Sequence, residues 1–320
     1  MKGSHRVIIS NANVKYDFTI RRNITILKGD SATGKTTLVE MISEFYEAGT
    51  DSGIELSCDR PCRTLGGKDW KIILTAIHET IVFIDEDNAF LPTNDFAEAV
   101  RESDNYYVLV TREGLPNLPY SIEEIYGIRH SGKYAGLKQV YHEFYHIYGK
   151  MDYSEAIQPE HVITEDSNAG FEFFKNYSNG KNYTVVSAGG KSNIFSEIQK
   201  CRAKNIPVIA DGAAFGSEMD RVIKLTGKIP HVSLYLPESF EWLILKSGIV
   251  KDKGLSDTLN APEDYIESSL YFSWERFFTS LLVKITTGSY LKYSKKKLNP
   301  IYLREEIASK ITAVIENIKS

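Results

Sequence analysis

Residues 29–37 read G-D-S-A-T-G-K-T-T and complete the pattern G-x-x-x-x-G-K-[ST]. The pattern demands a strand end, a glycine-bearing loop and a helix start in immediate succession, because backbone N–H groups must converge on an anion at a helix N-terminus. The flanks comply: Ile24–Leu27 is a short β-branched run ahead of the loop, and Leu38, Val39, Met41 and Ile42 recur at helical spacing behind it. Gly29, Asp30, Ser31, Ala32, Thr33 and Gly34 form the expected cradle, Lys35 is expected to reach the β and γ phosphates, Thr36 to hold Mg²⁺, and Thr37 to begin the helix. The implied cofactors are a nucleoside triphosphate, ATP, and Mg²⁺.

At 320 residues with 42% hydrophobic content, the chain exceeds what one core commonly organises, so two domains are expected. A net charge of -4 excludes wrapping by nucleic acid through bulk electrostatics and leaves only local contact with DNA or RNA. Cys58, Cys62 and Cys201 form an odd set without C-x-x-C pairing, which argues against a disulfide framework or structural zinc and fits a reducing cytoplasm. The basic residues near the start are followed by no apolar leader, and no run is long enough to span a bilayer, so no membrane partner is expected.

Strand patterns cover residues 7–9, 14–20 and 24–27; a helix is expected over 36–48, a strand over 54–58 and helical periodicity over 69–78. The run T-I-V-F-I at 80–84 is unbroken in its hydrophobicity and ends in Asp85-Glu86-Asp87, as a strand buried on both faces does. A short helix at 95–102 and a second buried strand at 106–110 follow, the strand ending at Thr111-Arg112. Residues 125–148 read as one or two long strands about a Gly-rich turn at 132–136, with a boundary in 149–159. Beyond it, strands at 161–164, 183–187, 207–210 and 231–236 alternate with helices at 169–177, 193–204 and 217–225, which predicts a second, parallel sheet. From 239 to 320 the pattern is mostly helical, broken by a basic patch at 292–297 and by Pro300.

Asp85 sits at a strand end, where a carboxylate binds the Mg²⁺ shared with Thr36, and Glu86 beside it is suited to polarise an attacking water. The lead-in strands, the phosphate loop, the strand I-V-F-I-D-E and the later V-L-V-T-R with I-E-E-I-Y-G-I resemble, in shortened form, the ABC-type ATPase domain of OLD-family proteins. Arg112 stands where that family usually has a histidine, and an arginine there can contact a phosphate. Leu65-Gly66-Gly67-Lys68 echoes the ABC signature loop, though a Gly-Gly turn before a helix explains it equally well. The resemblance implies a homo-oligomer, because such ATP sites are completed by a second subunit.

OLD-family proteins join this ATPase to a Toprim domain, and residues 161–245 are similar to a divergent one. The family places a glutamate after its first strand and D-x-D after a later one, so that carboxylates converge on Mg²⁺ at the carboxyl edge of the sheet. Here Glu165 follows H-V-I-T and Asp211 follows P-V-I-A. The first motif reads E-D-S-N-A-G, and Ala213 takes the place of the second aspartate. Asp166, Glu218, Asp220, Glu238 and Glu241 are further candidate acids, with Glu218 the expected additional ligand. Gly189-Gly190-Lys191-Ser192, a glycine turn entering a helix, is a candidate anion contact.

Lys292, Lys295, Lys296 and Lys297, interleaved with Tyr290 and Tyr293, read either as a backbone-tracking nucleic-acid patch or as a solvated linker. His142 and His146 match H-E-x-x-H, but the surrounding Tyr, Phe and Val favour a strand, on which zinc-protease geometry fails. Tyr271, Phe272, Trp274, Phe277 and Phe278 are expected in the core or at a dimer contact. The expected architecture is α/β: a shortened ABC-like P-loop domain over 1–155, a Toprim-like parallel domain over 156–250 and a helical extension over 251–320. Two functions stay open, a cytoplasmic ATPase controlling a metal-dependent nuclease, with phage defence implied by the family, and a non-enzymatic nucleotide sensor whose second domain binds a protein partner or nucleic acid without cutting it.

Overall fold

The computed structural model describes residues 1–30, 33–131, 139–149, 158–226 and 232–315; Ser31 and Ala32 of the phosphate loop and the turn expected at 132–136 lie outside them. The chain divides into two compact units, 1–149 with 261–272, and 150–260 with 273–320. Residues 261–272 thus leave the helical extension and join the first unit. There the N-terminal amine bonds the Glu267 carboxylate and donates to Ser268 Oγ at 3.0 Å, and Asn23 Nδ2 donates to the Phe272 carbonyl at 3.0 Å.

In the first unit, β1 (His5–Ser10) and β2 (Val14–Ile20) form an antiparallel hairpin. Asn11 closes it, its Oδ1 accepting from the amides of Asn13 and Val14 at 2.9 Å each. Then come β3 (Ile24–Leu27), α1 (Lys35–Ala48), β4 (Glu55–Ser57), β5 (Cys62–Thr64), α2 (Trp70–Leu74), β6 (Ile81–Ile84), α3 (Asn94–Glu102), β7 (Tyr106–Val110), β8 (Ile125–His130) and β9 (Val140–His146). They make one sheet in the order β4-β1-β2-β9-β8-β3-β7-β6-β5, parallel from β8 to β5 and carrying antiparallel pairs on its other flank.

The unbroken apolar runs are buried on both faces, with the period of two that a strand imposes. Ile24, Ile26, Val82, Ile84, Tyr107 and Leu109 join Trp70, Leu74, Phe96 and Val100 in one core, while Leu27, Ile81, Phe83, Val108 and Val110 join Leu38, Val39, Met41 and Ile42 of α1 in the other. Two local expectations change. The helix expected over 69–78 spans only Trp70–Leu74, because the Thr75 hydroxyl donates to the Ile72 carbonyl at 2.6 Å and the chain turns away. Strand β5 was not foreseen, three residues after a proline being too few to show periodicity.

Glu124, immediately before β8, is a buried carboxyl of this unit. Burial pushes its pKa up to about 7, against the pull of Arg22 and a hydrogen bond from Thr25 Oγ1 at 3.2 Å. A carboxyl whose pKa is raised on folding contributes stability that is present below its unfolded value and lost as pH rises through the folded one. The Glu124→Gln variant should therefore gain stability relative to wild type between about pH 4.5 and 7, by at most about 1.4 kcal/mol per pH unit. Urea midpoints of both proteins at pH 5 and 7.5 check this; a difference independent of pH would refute it.

The second unit holds β10 (His161–Thr164), α4 (Ala169–Tyr177), β11 (Thr184–Ser187), α5 (Lys191–Lys200), β12 (Ile206–Ile209), α6 (Met219–Thr226) and β13 (Val232–Tyr235). The strands form the expected parallel sheet, in the order β11-β10-β12-β13. Because β11 and β12 lie on opposite sides of β10, a crevice opens outside the carboxyl ends of β10 and β12. The helices α7 (Phe240–Lys246), α8 (Leu255–Asn260), α9 (Trp274–Thr286) and α10 (Glu305–Thr312) complete the described part of the unit. Of the expected aromatic cluster, Trp274, Phe277 and Phe278 are buried in this unit, Phe272 is buried in the core of the first, and Tyr271 is only half-buried. Among the described residues no helix is long and apolar enough to cross a membrane.

Candidate functional site

Strand β3 is pinned on both sides where the glycine loop begins: Thr111 N donates to Leu27 O at 3.1 Å and Lys28 N to Tyr126 O at 2.8 Å. It is also the strand about which the winding reverses, with β5, β6 and β7 on one side and β8 on the other. Gly29 (φ 136°) and Gly34 (φ 94°) adopt left-handed backbone that only glycine takes at ease. At Gly34 space closes as well, since a Cβ there would stand 2.8 Å from the Tyr16 hydroxyl.

Lys35 folds back into the loop. Its ammonium donates to the carbonyls of Gly29 at 2.8 Å and Asp30 at 2.6 Å and to Thr33 Oγ1 at 3.0 Å. The residue is 6% exposed, and burial lowers its pKa while Glu86, Asp30 and Asp85 pull it back up. Thr36 and Thr37 are exposed on the first turn of α1, which has no side-chain cap, so its leading amides face outward as an anion site requires.

Tyr16, which sequence reasoning did not single out, ties this loop to the antiparallel flank. Its hydroxyl donates to the Gly34 carbonyl at 2.8 Å, and its ring stacks on His142 at 4.7 Å between centroids. Tyr16→Phe should cost about 0.5–1.5 kcal/mol of stability and weaken triphosphate binding with little change in Mg²⁺ dependence. Thermal melts with calorimetric titration check it, and unchanged nucleotide affinity would count against a role for Tyr16.

One strand separates β3 from β6, so Asp85 and Glu86 emerge at the same sheet edge as the loop, across Thr111 and Arg112 at the end of β7. Asp85 Oδ1 accepts from the Glu86 amide at 2.7 Å. Glu86 and Arg112 make a forked pair, Nη2 to Oε1 at 2.7 Å and Nε to Oε2 at 2.9 Å. This hydrogen bonding holds the Glu86 carboxyl below its ordinary range and Arg112 above its own. Glu86 is thus a poor proton acceptor while paired. The Gly66-Gly67 turn lies beside this edge, the Gly67 amide 3.3 Å from Asn88 Oδ1, and it leads into α2 as a plain turn does.

In the second unit, Glu165 follows β10 and Asp211 follows the adjacent β12, and the two meet: the Asp211 amide donates to Glu165 Oε2 at 2.9 Å. Both line a pocket with Thr164, Asp166, Phe240 and Leu243. Gly212 explains how β12 can end there, because a Cβ would lie 2.3 Å from the Leu236 carbonyl oxygen. Burial raises the Glu165 pKa to about 7, with Glu275 adding to it. Asp211 is raised well above the carboxylate range by burial and then by Glu275, Glu165 and Glu241. Four carboxyls therefore share one field, and sequence reasoning had named all but Glu275.

Other candidate acids are committed elsewhere. Asp166 caps α4, accepting from the amides of Phe171 at 2.9 Å and Gly170 at 3.3 Å. Glu218, expected as a metal ligand, is buried beside Ser217 Oγ at 3.4 Å and Arg221 at 3.7 Å and does not line the pocket. Two lysines balance the cluster. Lys191 donates to the Ala214 carbonyl at 2.9 Å and lies in the field of Glu165, Glu218 and Glu275, so the Gly189-Gly190 turn points its lysine inward. Lys295 bonds Glu275; burial works against its charge, but Glu241, Glu275 and Asp211 outweigh it and raise its pKa.

No family model and no curated protein matches the chain. Among the described residues no three His, Cys, Asp or Glu side chains stand together as a metal cage. The side-chain oxygens of Thr36 and Asp85 at one sheet edge, and of Glu165 and Asp211 in the crevice, are of the chemical type that suits hard cations, of which Mg²⁺ commonly takes only one or two protein ligands.

The H-E-F-Y-H match lies on β9, where His142 is sandwiched between Tyr16 and His130, each 4.7 Å away, so the strand reading stands. The basic run is no simple linker. Tyr293 is 2% exposed and donates to Glu241 at 2.8 Å, and Leu291 and Leu298 are buried, which leaves Tyr290, Lys292, Lys296 and Lys297 outward.

Proposed function

We propose that the protein binds ATP with Mg²⁺ in its first unit, hydrolyses it, and through that occupancy governs a Toprim-like, metal-dependent nuclease in its second. One observation carries the first part: a buried lysine ammonium inside a glycine loop at the end of β3, with an acidic pair at the same sheet edge. Lys35 would exchange the loop carbonyls for phosphate oxygens, and Thr36 and Asp85 would hold the cation, which when bound would supply charge neutralisation at the phosphates. Arg112, exposed and forked to Glu86, is in position to turn to the terminal phosphate. Releasing Glu86 restores its basicity, so proton acceptance is linked to the arrival of substrate.

In the second unit Glu165 and Asp211 would hold the metal, which lowers the pKa of a bound water and neutralises a scissile phosphate. Their raised pKa values support this, since neighbouring carboxyls so placed ionise fully only beside added positive charge. Nucleotide sensing without cleavage is the second reading, favoured by Ala213 at a ligand position and by Lys191 and Lys295 already balancing the acids. Calorimetry with ATP, GTP and their diphosphates in Mg²⁺ tests the foundation. Heat of binding is expected, and its absence for all of them would remove both readings. Incubation with DNA or RNA and Mg²⁺ or Mn²⁺, with and without ATP, then separates nuclease from sensor. The OLD-family resemblance extends the nuclease reading to phage defence, which a plaque assay measures.

A further inference from the structure

The turn between β4 and β5 gathers two of the three cysteines around one residue. The Arg60 amide donates to Cys58 Sγ at 3.5 Å, and Cys62 Sγ donates to the Arg60 carbonyl at 3.7 Å. The two thiols thus flank one peptide unit, and each perturbs the other's ionisation, lowering that of Cys58 and raising that of Cys62, while the Cys58 thiol also faces Asp59 Oδ1 at 3.8 Å. Their accessibility differs: Cys58 is half-buried and Cys62 buried at 6% exposure. The turn is held from outside. Asp59 accepts from buried His5 at 2.9 Å, Ile81 N donates to the Pro61 carbonyl at 2.9 Å, and Cys62 opens β5 in register with Ile81 of β6.

We infer that Cys58 and Cys62 are a peroxide-responsive dithiol, Cys58 the attacking thiolate and Cys62 the resolving thiol, which closes to a disulfide within this turn. An attacking cysteine needs access and a hydrogen-bond donor that stabilises its thiolate; Cys58 is half-buried and accepts from the Arg60 N–H. The neighbouring Cys62 thiol and the Arg60 N–H together outweigh burial and the nearby Asp59 charge and lower its pKa, whereas Cys62 is held as a thiol. The Cys58 thiolate attacks a hydroperoxide oxygen, the O–O bond breaks, and the alkoxide leaves with a proton from solvent, giving a sulfenic acid at Cys58. The Cys62 sulfur then attacks the Cys58 sulfur, the S–O bond breaks, and hydroxide leaves with the Cys62 proton as water. Two thiols and one hydroperoxide yield a disulfide, an alcohol and water, with two electrons passing from sulfur to oxygen.

The sequence makes the assay direct, because Arg60 precedes proline and resists trypsin, so one tryptic peptide, 36–63, contains both cysteines. The full chain is treated with a small excess of hydrogen peroxide, alkylated under denaturing conditions, digested and weighed. The expected peptide carries no alkyl group and lies about 2 Da below the reduced, unalkylated mass, and dithiothreitol restores two alkylation sites. A peptide that keeps both alkyl groups, or that gains oxygen at Cys58 with Cys62 still alkylated, would overturn the inference. Cys62→Ala provides a second arm, in which Cys58 should halt as a sulfenic acid trapped by dimedone. Should that variant fail to fold, the wild-type peptide alone decides.

Discussion

Lys35→Ala should lower the rate of ATP hydrolysis by on the order of 10²–10³-fold and remove most of the heat of ATP binding. The expectation follows from what the ammonium does in the loop. Its ammonium donates to both the Gly29 and Asp30 carbonyls, and burial has already stripped part of its water. In that setting its exchange of carbonyl partners for phosphate oxygens is strongly favourable, because charge meets charge at low local dielectric. Lys35→Arg should not rescue the activity, since a planar guanidinium cannot occupy the space filled by a compact ammonium among three loop oxygens. Melting temperature, read in parallel, separates loss of the site from loss of the fold. A folded Lys35→Ala protein that bound ATP as wild type does would end the claim that this loop is the nucleotide site.

Asp211→Asn should abolish metal-dependent cleavage, by at least on the order of 10²-fold, while leaving ATP binding in the first unit unchanged. Its effect on stability should have the opposite sign. Asp211 is half-buried in the field of Glu275, Glu165 and Glu241, and folding raises its pKa, so the ionised form is a burden that grows as pH rises. A neutral amide of the same shape removes that burden. The variant should therefore melt at or above the wild-type temperature at pH 8 and lose that advantage toward pH 5. A general structural defect would instead lower the melting temperature at both values. Cleavage that survived the substitution would take Asp211 out of the chemistry.

Much of this was legible in the sequence, for physical reasons that differ from place to place. The glycine loop between β3 and α1 was legible because its backbone favours glycine at φ values such as those of Gly29 and Gly34, which fixes residue types at fixed spacing. Strands β3, β6 and β7 were legible because a parallel strand with helices on both faces has no polar side to interrupt it. Glu165 and Asp211 were legible from position alone, each being the first carboxylate past an apolar run. What could not be read were partners from distant elements. Nothing local to Tyr16 says that its hydroxyl supports the Gly34 carbonyl, and Glu275 enters the acid cluster from α9, far along the chain. Lys295 belonged to a run with the ordinary look of a solvated patch, and only the fold turns it toward Glu275.

Residues 261–272 leave the second unit to deliver Phe272 into the core of the first, before the chain returns for α9. Neither half is therefore written as one uninterrupted stretch of gene. A ribosome must pass residue 272 before the first half can close, and a nonsense codon after residue 260 would strip both halves at once. Recombination could not exchange either half as a cassette, so the interlacing keeps the two inherited together.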